Sequence, residues 1–461
     1  MKLTNSLVTL ALNLLAGVRA APHVEPRADT KYVFAHHIVG NTYPYTVESW
    51  TNDINVAKSA GIDGFALNVG NLDWEPARVA DAYTAADAVD GFKLFVSADM
   101  SSLPCVTPEN ATVLRDYVTT YYNRPSQFIY NGKVYFSTFS GEKCTFGQSS
   151  VIAGWQNEFK SQLTGAQSVY FVPFFSVDPT TELPSYAGLI DGALNWNSGW
   201  PTGINAGNYL SEDQTVSNLD GTSTDQLYLN GLSSFGGSYL PTVSPWFFTH
   251  YGPAPAFDKN FIYYADNWMF TRRWEKLIAE RDSFDIVEIV SWNDFGESHY
   301  IGPVEGGLPF DPTRGDSDWA TGFDHTPWLE LFGYYISAFK SGATATPSTD
   351  KIFLWVRPHT RDAIATSDAV AKPTNYQMDS DTVWVVVLAT SPATVTLTTG
   401  TSTTTNVPAG LSRLSIPISA GNGSSASMAR GSTTVASASV PSFTFSSSPA
   451  TYNYNVHVAS N

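Results

Sequence analysis

Eight short apolar segments, several of them separated by helix-like stretches, constrain the fold of this 461-residue chain more than any other feature. The apolar segments cover residues 32–36, 64–68, 94–99, 134–138, 169–174, 192–196, 242–246 and 286–292. The helix-like stretches cover 47–60, 76–89, 109–122, 150–163 and 268–280. Because strands that alternate with helices form parallel sheets, this pattern predicts an α/β fold, a (β/α)8 TIM-like barrel over residues 31–340. The polar stretch 199–237 predicts a long insertion after the sixth strand.

The composition changes after about residue 340, where Ser, Thr and Gly separate short apolar segments. Strand-like segments cover 351–355, 383–389, 394–398 and 414–418. Their alternating pattern predicts a C-terminal all-β sandwich domain over residues 341–461. A disordered Ser/Thr-rich stalk is the alternative, which the alternating Val, Trp and Leu residues disfavour.

The N-terminus has the features of a secretory signal peptide over residues 1–20. Lys2 supplies the positive charge, residues 7–15 form an apolar core, and small residues follow at 18–20. The apolar core is too short to span a membrane, so a membrane anchor is disfavoured. Residues 21–30 are expected to form a short pro-segment or flexible N-terminus, and the protein is expected to be secreted to the extracellular medium.

The formal net charge is −17, from 25 basic and 42 acidic residues. This charge argues against binding to nucleic acid or to anionic membranes, and it suits a neutral polymer as the partner. The chain has no H-x-H, H-E-x-x-H or G-x-S-x-G motif and no Gly-rich phosphate loop. We therefore expect no metal, no cofactor and no serine nucleophile. We also expect a monomer.

The two cysteines, Cys105 and Cys144, follow the predicted signal peptide and so face an oxidising compartment. A disulfide between them is the favoured interpretation, with two free buried thiols as the alternative. The motifs that begin at Asn110 and Asn422 are acceptors for N-glycosylation in a secreted chain.

The segment 291–302, S-W-N-D-F-G-E-S-H-Y-I-G, holds two carboxylates three residues apart, Asp294 and Glu297, among aromatic residues. Aromatic rings stack on the apolar faces of sugars, and two carboxylates can divide acid and base catalysis across a glycosidic bond. The segment therefore predicts a catalytic pair in a sugar-cleaving site. The alternative is that Asp294 caps the following turn and that Glu297 is a solvated loop residue.

Catalytic and binding residues of such barrels lie at the carboxyl ends of the strands. The residues that we predict to bind substrate on this basis are His36, Asn41, Asn68, Asp73, Trp74, Asp99, Trp196, Trp246, Trp292, His299 and Tyr300. Simpler roles compete with this interpretation. Asp99 can bind a backbone amide instead, Asp73 can be a turn residue, and the indoles can be packing at the rim.

Four segments resemble the signatures of glycoside hydrolase family 71, the fungal endo-α-1,3-glucanases or mutanases: 34–45, 61–68, 245–250 and 291–302. The resemblance extends from about residue 32 to the end of the chain. It implies hydrolysis of α-1,3-glucan, a polymer of fungal cell walls and dental plaque, with inversion at the anomeric carbon. It also implies that Asp294 and Glu297 are the acidic pair, and that a further acid, Asp73 or Asp99, assists them.

We therefore predict an inverting endo-α-1,3-glucanase, with Glu297 as the acid and Asp294 as the base. Inversion requires the two carboxyl groups to lie roughly 6.5–9.5 Å apart. Trp74, Trp196, Trp246 and Trp292 are predicted to line the cleft. Two alternatives stay open: a retaining glycosidase that acts on another α-glucan or an α-mannan, and a glucan-binding wall protein without catalytic activity.

Overall fold

The computed structural model describes residues 30–209, 224–252, 259–311, 315–440 and 444–461. The predicted signal peptide and nearly all of the predicted pro-segment lie outside the described residues. Lys31–Asn461 form one compact unit. Within the described residues, no helix is long and apolar enough to cross a membrane.

Eight parallel strands form the first part of this unit. They are β1 (Tyr32–Ile38), β2 (Gly64–Val69), β3 (Lys93–Asp99), β4 (Lys133–Phe139), β5 (Val169–Phe174), β6 (Gly192–Asn195), β7 (Ser238–Val243) and β8 (Ile286–Ile289). They are hydrogen-bonded in the order β5-β4-β3-β2-β1-β8-β7-β6. The short strand Ile129–Tyr130 pairs with β4. Nearly every strand residue is buried, as expected for a parallel sheet that is covered on both faces.

Side chains from all eight strands pack against one another inside the curled sheet. One cluster contains a residue from each strand: Phe34, Ala66, Phe95, Tyr135, Val172, Leu194, Leu240 and Ile286. Alternate residues of a strand point to the same face. The next inward positions, which include His36, Asn68 and Glu288, therefore lie closer to the carboxyl ends of the strands.

The predicted barrel is confirmed only as this curled sheet, because β5 and β6 are not joined by a ladder of paired residues. Asp191 connects them instead: its N–H donates to Phe171 O at 2.8 Å, and its Oδ2 accepts the Phe171 N–H at 3.0 Å. Two lysines lie 2.7 and 3.1 Å from the Asp191 carboxylate. This gap between β5 and β6 has a structural reason. The strand β6 has only four residues, and the 3-10 turn Leu183–Tyr186 takes the place of a full helix before it.

Helices cover the outer face of the sheet. They are α1 (Val47–Ser59), α2 (Glu75–Ala88), α3 (Asn110–Tyr121), α4 (Val151–Gly154), α5 (Asp225–Ser233), α6 (Met269–Ala279) and α7 (Trp328–Ser341). The predicted helix at 150–163 is only partly an α-helix, because a π-helical turn, Trp155–Phe159, follows α4. The helices α5 and α7 were not predicted.

The prediction for the seventh strand, residues 242–246, was wrong at both ends: β7 covers Ser238–Val243, so it begins four residues earlier and ends three residues earlier than predicted. The apolar sequence nevertheless continues into a separate hairpin, in which Phe248–His250 pairs with Asn260–Ile262. Because the hairpin is also apolar, the sequence pattern does not show where β7 ends.

The C-terminal part consists of two four-stranded antiparallel sheets. The first contains β9 (Lys351–Val356), β10 (Thr382–Ala389), β13 (Gly410–Pro417) and β16 (His457–Ser460); the second contains β11 (Ala393–Thr399), β12 (Thr401–Val407), β14 (Ser425–Arg430) and β15 (Thr433–Ser439). Their facing apolar residues form a core, so the alternative of a disordered stalk was wrong. Four of the eight strands were missed because Ser, Thr and Ala dominate them.

The other face of the first sheet packs against the barrel helices. Trp355 of β9 lies 5.5 Å from Phe270 of α6 and 5.9 Å from Trp328 of α7, between ring centroids. One core therefore runs from the barrel into the sandwich. The division at residue 340 stays a prediction, although α7 ends at Ser341 and β9 begins at Lys351.

The predicted disulfide between Cys105 and Cys144 is present, with the two Cα atoms 5.1 Å apart. It joins the loop after β3 to the loop after β4. Both loops follow carboxyl ends of strands, so the bond cross-links the side of the barrel on which we predict the active site.

Candidate active site

Asp294 and Glu297 lie in a short 3-10 turn after β8. Asp294 caps this turn, because one of its carboxylate oxygens accepts the Glu297 N–H at 3.2 Å. The capping role that competed with catalysis is thus real, but it uses only one carboxylate oxygen. The side chains of Asp294 and Glu297 are 20% and 18% exposed, so both carboxyl groups can still be reached from solvent.

His299 lies between the two carboxyl groups and is fully buried. Its Nε2 is 3.0 Å from Glu297 Oε2 and 3.6 Å from Asp294 Oδ2. Its Nδ1 is 2.9 Å from Ser291 Oγ, which in turn accepts the Asp294 N–H at 2.8 Å. His299 therefore orients the carboxyl groups, and the prediction that it binds sugar directly was wrong.

The two carboxyl groups have opposite protonation preferences. Burial raises the pKa of Asp294 to about 6, and the negative charge of Glu297 adds to this shift. Burial also opposes ionisation of Glu297, but the His299 hydrogen bond and the charge of Lys259 outweigh it and lower the pKa of Glu297 to about 2. Lys259 Nζ lies 3.4 Å from Glu297 Oε1. Asp294 is thus the group that keeps its proton, which is the reverse of the predicted roles.

Two oxygen atoms, one from each carboxyl group, are closer together than the separation of the groups that the prediction required. Three side chains, those of Asp294, Glu297 and His299, each have one potential ligand atom, and these three atoms lie within 4.8 Å of one another. This is less than the roughly 6.5–9.5 Å of an inverting pair. A metal ion would have to displace the proton that His299 Nε2 donates to the ionised Glu297. The expected absence of a metal stays a prediction.

Trp196 follows β6 and is one of the aromatic rings around His299. Its ring is partly exposed and lies 6.4 Å from His299 and 5.0 Å from Phe139, between ring centroids. His36 packs edge-on against the Trp196 ring at 4.7 Å. His36 is itself fully buried, with Nδ1 2.7 Å from Glu288 Oε1, so it supports Trp196 from below and was wrongly predicted to bind substrate.

Three other predicted sugar contacts are buried. Trp246 is 2% exposed, and Trp292 and Tyr300 are not exposed at all. The Trp246 indole N–H donates to Tyr454 O at 2.9 Å, the Tyr300 hydroxyl donates to Phe323 O at 2.6 Å, and the Trp292 ring packs 5.1 Å from Phe65. These three rings pack below the loop surface, so the prediction that they bind substrate was wrong, as was the prediction that Trp246 and Trp292 line the cleft.

The loops after β1, β2 and β3 hold the remaining predicted residues. Asn41 Nδ2 donates to Asn293 O at 2.9 Å, so this side chain braces the Asp294 loop rather than facing substrate. Asn68 is 7% exposed. Asp73 is exposed, and Trp74 is partly exposed, with its ring 5.2 Å from the exposed ring of Tyr43.

Asp99, at the end of β3, has one oxygen engaged by neighbouring groups. Its Oδ1 accepts the Ser101 N–H at 3.0 Å and the Ser101 hydroxyl at 2.6 Å. The backbone-binding role that competed for Asp99 is therefore real. Its charge also reaches Lys259, whose pKa is raised mainly by Glu297 and to a lesser extent by Asp294 and Asp99. The charge of Asp99 thus acts on the same lysine that pairs with Glu297.

Sequence reasoning missed three charged residues near this site. Glu288 interrupts the apolar run of β8, which is a signal that the sequence contains. Glu75 directly follows Asp73 and Trp74, and only its burial sets it apart. Lys259 has no sequence signal, because the hairpin of Asn260–Ile262 brings it to Glu297.

The two predicted glycosylation acceptors lie outside this site. Asn110 is the first residue of α3, and its Oδ1 accepts the N–H groups of Val106 and Thr107 in the preceding loop at 3.0 and 2.9 Å. Asn422 lies in the loop before β14 and is partly exposed. Their glycosylation stays a prediction.

Comparison with known proteins identifies the family. The family model described as glycosyl hydrolase family 71 matches residues 29–461. The chain belongs to glycoside hydrolase family 71. It is 39% identical over 361 residues to the glucan endo-1,3-alpha-glucosidase agn1 of Schizosaccharomyces pombe, covering 77% of each chain. It is 34% identical over 389 residues to the mutanase Pc12g07500 of Penicillium rubens, covering 84% of this chain and 79% of that one.

A solved structure of a GH99 endo-alpha-mannosidase from Bacteroides thetaiotaomicron is similar at 13% identity with a TM-score of 0.48. The alignment covers 68% of this family 71 chain and 98% of the mannosidase. Family membership makes the chain a glycoside hydrolase, so the alternative of a wall protein without catalytic activity is disfavoured.

Proposed function

We propose that this family 71 protein is a secreted endo-α-1,3-glucanase whose catalytic centre is the turn that carries Asp294 and Glu297. The observation that carries the proposal is the pair of adjacent carboxyl groups with opposite protonation preferences near the partly exposed Trp196. The names of the two relatives supply the linkage of the substrate.

Asp294 is proposed as the general acid. An acid catalyst must be protonated at the working pH, and a carboxyl group with a pKa of about 6 meets this requirement in a mildly acidic medium. Protonation of the glycosidic oxygen breaks its bond to the anomeric carbon and leaves positive charge on the sugar ring. The ionised Glu297 lies beside Asp294 and can stabilise that charge.

Inversion then needs a base on the opposite face of the ring, and Glu297 is too close to Asp294 to supply it. Asp73 and Asp99 are the candidates for this base, because they follow β2 and β3. The carboxylate of Asp73 is exposed, whereas one oxygen of Asp99 is occupied by Ser101. The base removes a proton from water, and the resulting hydroxide adds to the anomeric carbon from the face opposite the leaving group.

The short distance between Asp294 and Glu297 favours a second candidate, a retaining mechanism. Retaining pairs lie roughly 5–5.5 Å apart. In that mechanism the ionised Glu297 attacks the anomeric carbon while Asp294 protonates the leaving oxygen, and water then hydrolyses the glycosyl-enzyme bond. The anomeric configuration of the first product distinguishes the two mechanisms.

We infer that the curled sheet is a closed (β/α)8 barrel, sealed at Asp191, and that its rigidity sets the linkage specificity. Trp74 and Trp196 are the two predicted platforms that have exposed ring surface. Trp196 directly follows β6 and Trp74 directly precedes α2, so a chain of another linkage would present its scissile oxygen at the wrong angle. We propose a monomer that needs no cofactor.

Product analysis on defined α-1,3-gluco-oligosaccharides tests the proposal. We expect internal cleavage to shorter oligosaccharides, with little turnover of starch, laminarin or cellulose, and NMR in the first minutes should show β-configured products if the mechanism inverts. Comparable rates on starch or laminarin would contradict the linkage. Release of glucose alone from the start would contradict endo cleavage. α-Configured first products would establish retention.

A further inference from the structure

Glu75 is a buried carboxyl group that the proposed mechanism does not use. It is the first residue of α2 and is 2% exposed. Acidic residues in a first helical turn usually point into solvent near the positive end of the helix dipole. Glu48, in the first turn of α1, does so and is exposed. Glu75 instead turns back into the protein.

The Glu75 carboxyl group closes the loop that follows β2. Its Oε2 accepts the N–H of Gly70, so the five residues 70–74 are held in a closed turn. That turn carries Asp73 and Trp74, the candidate base and one of the two exposed platforms. A Cβ atom at Gly70 would lie 3.3 Å from Glu75 Oε1.

The same carboxyl group touches the neighbouring loops. A Cβ atom at Gly40, after β1, would also lie 3.3 Å from Glu75 Oε1. The titratable groups that interact with Glu75 are Asp99 at the end of β3 and Tyr117 of α3. No cation is among the groups that shift its pKa. Glu75 thus lies between three successive strand-end loops, and among the described residues no basic side chain pairs with it.

We propose that Glu75 is a positioning residue, which holds the Asp73–Trp74 loop in its substrate-binding conformation while its carboxyl group is protonated and releases it on ionisation. The proposal rests on the proposed function, since it concerns the opposite wall of the same cleft. A protonated carboxyl group keeps one oxygen to accept the Gly70 N–H and adds a donor. An ionised group would be repelled by Asp99 in a site with little solvent.

The protonation of Glu75 fits this role at acidic and neutral pH. Burial raises its pKa to about 7, the Gly70 hydrogen bond opposes this shift, and the charge of Asp99 adds to it. Asp294 should lose its proton first, near pH 6. The wild-type rate should therefore fall in two steps as the pH rises, the first from Asp294 and the second from Glu75.

The test compares the pH dependence of kcat/KM in the wild type, E75Q, E75A and the exposed control E48Q. The slope of log(kcat/KM) against pH should approach about −2 above roughly pH 7 in the wild type and E48Q, and about −1 in E75Q, which cannot ionise. Near pH 5, E75Q should lose less than about threefold and E75A at least about tenfold, because the amide restores the contact to Gly70.

Hydrogen exchange of the peptide that contains Gly70, measured by mass spectrometry, gives a readout that does not depend on catalysis. We expect faster exchange in E75A and wild-type exchange in E75Q and E48Q. Equal pH slopes in the wild type and E75Q, or unchanged exchange in E75A, would overturn the proposal. A wild type that fails to cleave α-1,3-glucan would instead refute the proposed function, and the exchange experiment would still decide the role of Glu75.

Discussion

The loop after β8 and the loop after β2 each carry two acidic residues within four positions, yet their carboxyl groups have different surroundings. After β8, His299 and Lys259 lie 3.0 and 3.4 Å from Glu297 and keep it ionised. After β2, Glu75 has one backbone donor and two glycines beside it.

The difference shows that the spacing of carboxylates in a sequence does not set their charge. Glu297, in the turn after β8, has a pKa of about 2, whereas Glu75 has a pKa of about 7. Burial raises the pKa of both groups. For Glu297 the His299 hydrogen bond and the charge of Lys259, from the hairpin after β7, outweigh burial. For Glu75 only the Gly70 hydrogen bond opposes burial, and the charge of Asp99, from β3, adds to it. The same residue type can therefore serve as a permanent anion in one loop and as a neutral support in the other.

Neutralising the β8 pair should have the largest effect. D294N and E297Q should each lower kcat at least about 100-fold, because each removes a group that acts at the reacting atoms. D294N keeps the capping oxygen of the turn, so its fold should survive. A substrate with an activated leaving group should partly restore D294N, which lacks the acid, but not E297Q. If either variant retains more than about a tenth of the wild-type rate, its proposed role is wrong.

Replacing Lys259 removes the cation beside Glu297, so that Glu297 would have no neighbouring lysine, as is the case for Glu75 in the loop after β2. In K259M the pKa of Glu297 should rise towards its ordinary value, so the acidic limb of the pH–rate profile should move to higher pH. We expect kcat/KM near pH 4 to fall about tenfold, with a smaller loss near pH 6. K276M, which changes a lysine on α6, is the matched control. An acidic limb at the wild-type position would show that Lys259 does not set the charge of Glu297.

The two carboxyl groups of the β8 loop should affect stability in opposite directions. Glu297 has a lowered pKa, so its stabilising contribution is present above its ordinary pKa and is lost as the pH falls towards 2. Asp294 has a raised pKa, so its contribution is lost as the pH rises through about 6.

At pH 7, E297Q should therefore be less stable than the wild type, and D294N more stable, each by about 1–3 kcal/mol. Thermal unfolding at pH 7 and near pH 4 measures this, and the gain of D294N should shrink at the lower pH. Shifts of the same sign in both variants would contradict the assigned pKa directions.

Crowding Glu75 should have the smallest effect. In G40A the new methyl group would lie 3.3 Å from Glu75 Oε1, which forces a shift of a few tenths of an ångström. We expect kcat/KM to fall about two- to fivefold through displacement of the Asp73–Trp74 loop. G203A is the control, because a Cβ atom at Gly203 would meet nothing within 4 Å. Wild-type kinetics in G40A would show that this loop tolerates movement of Glu75.

Much of the fold could be predicted from the sequence because it depends on local periodicity. β5 was predicted with its observed bounds, and β1 to β4 within one or two residues at each end, since their apolar runs stop at polar residues. The predicted bounds of β7 were wrong because an apolar hairpin follows the strand. Four strands of the sandwich were not predicted, because their inward residues are as small as Ala426 and Ala438 and give little hydrophobic signal.

The sequence by itself determined the family, the alternation of strands and helices, and the turn that carries Asp294 and Glu297, because these depend on residues close together in the chain. The tertiary structure alone decided which aromatic rings stay exposed, which carboxyl group keeps its proton, and how far apart the pair lies. Burial and long-range partners fix those properties: Lys259 reaches Glu297 from 38 positions away, and Tyr454 binds Trp246 from 208 positions away. Electrostatic energies depend on distance in space and on exclusion of water, and neither can be read from spacing along the chain.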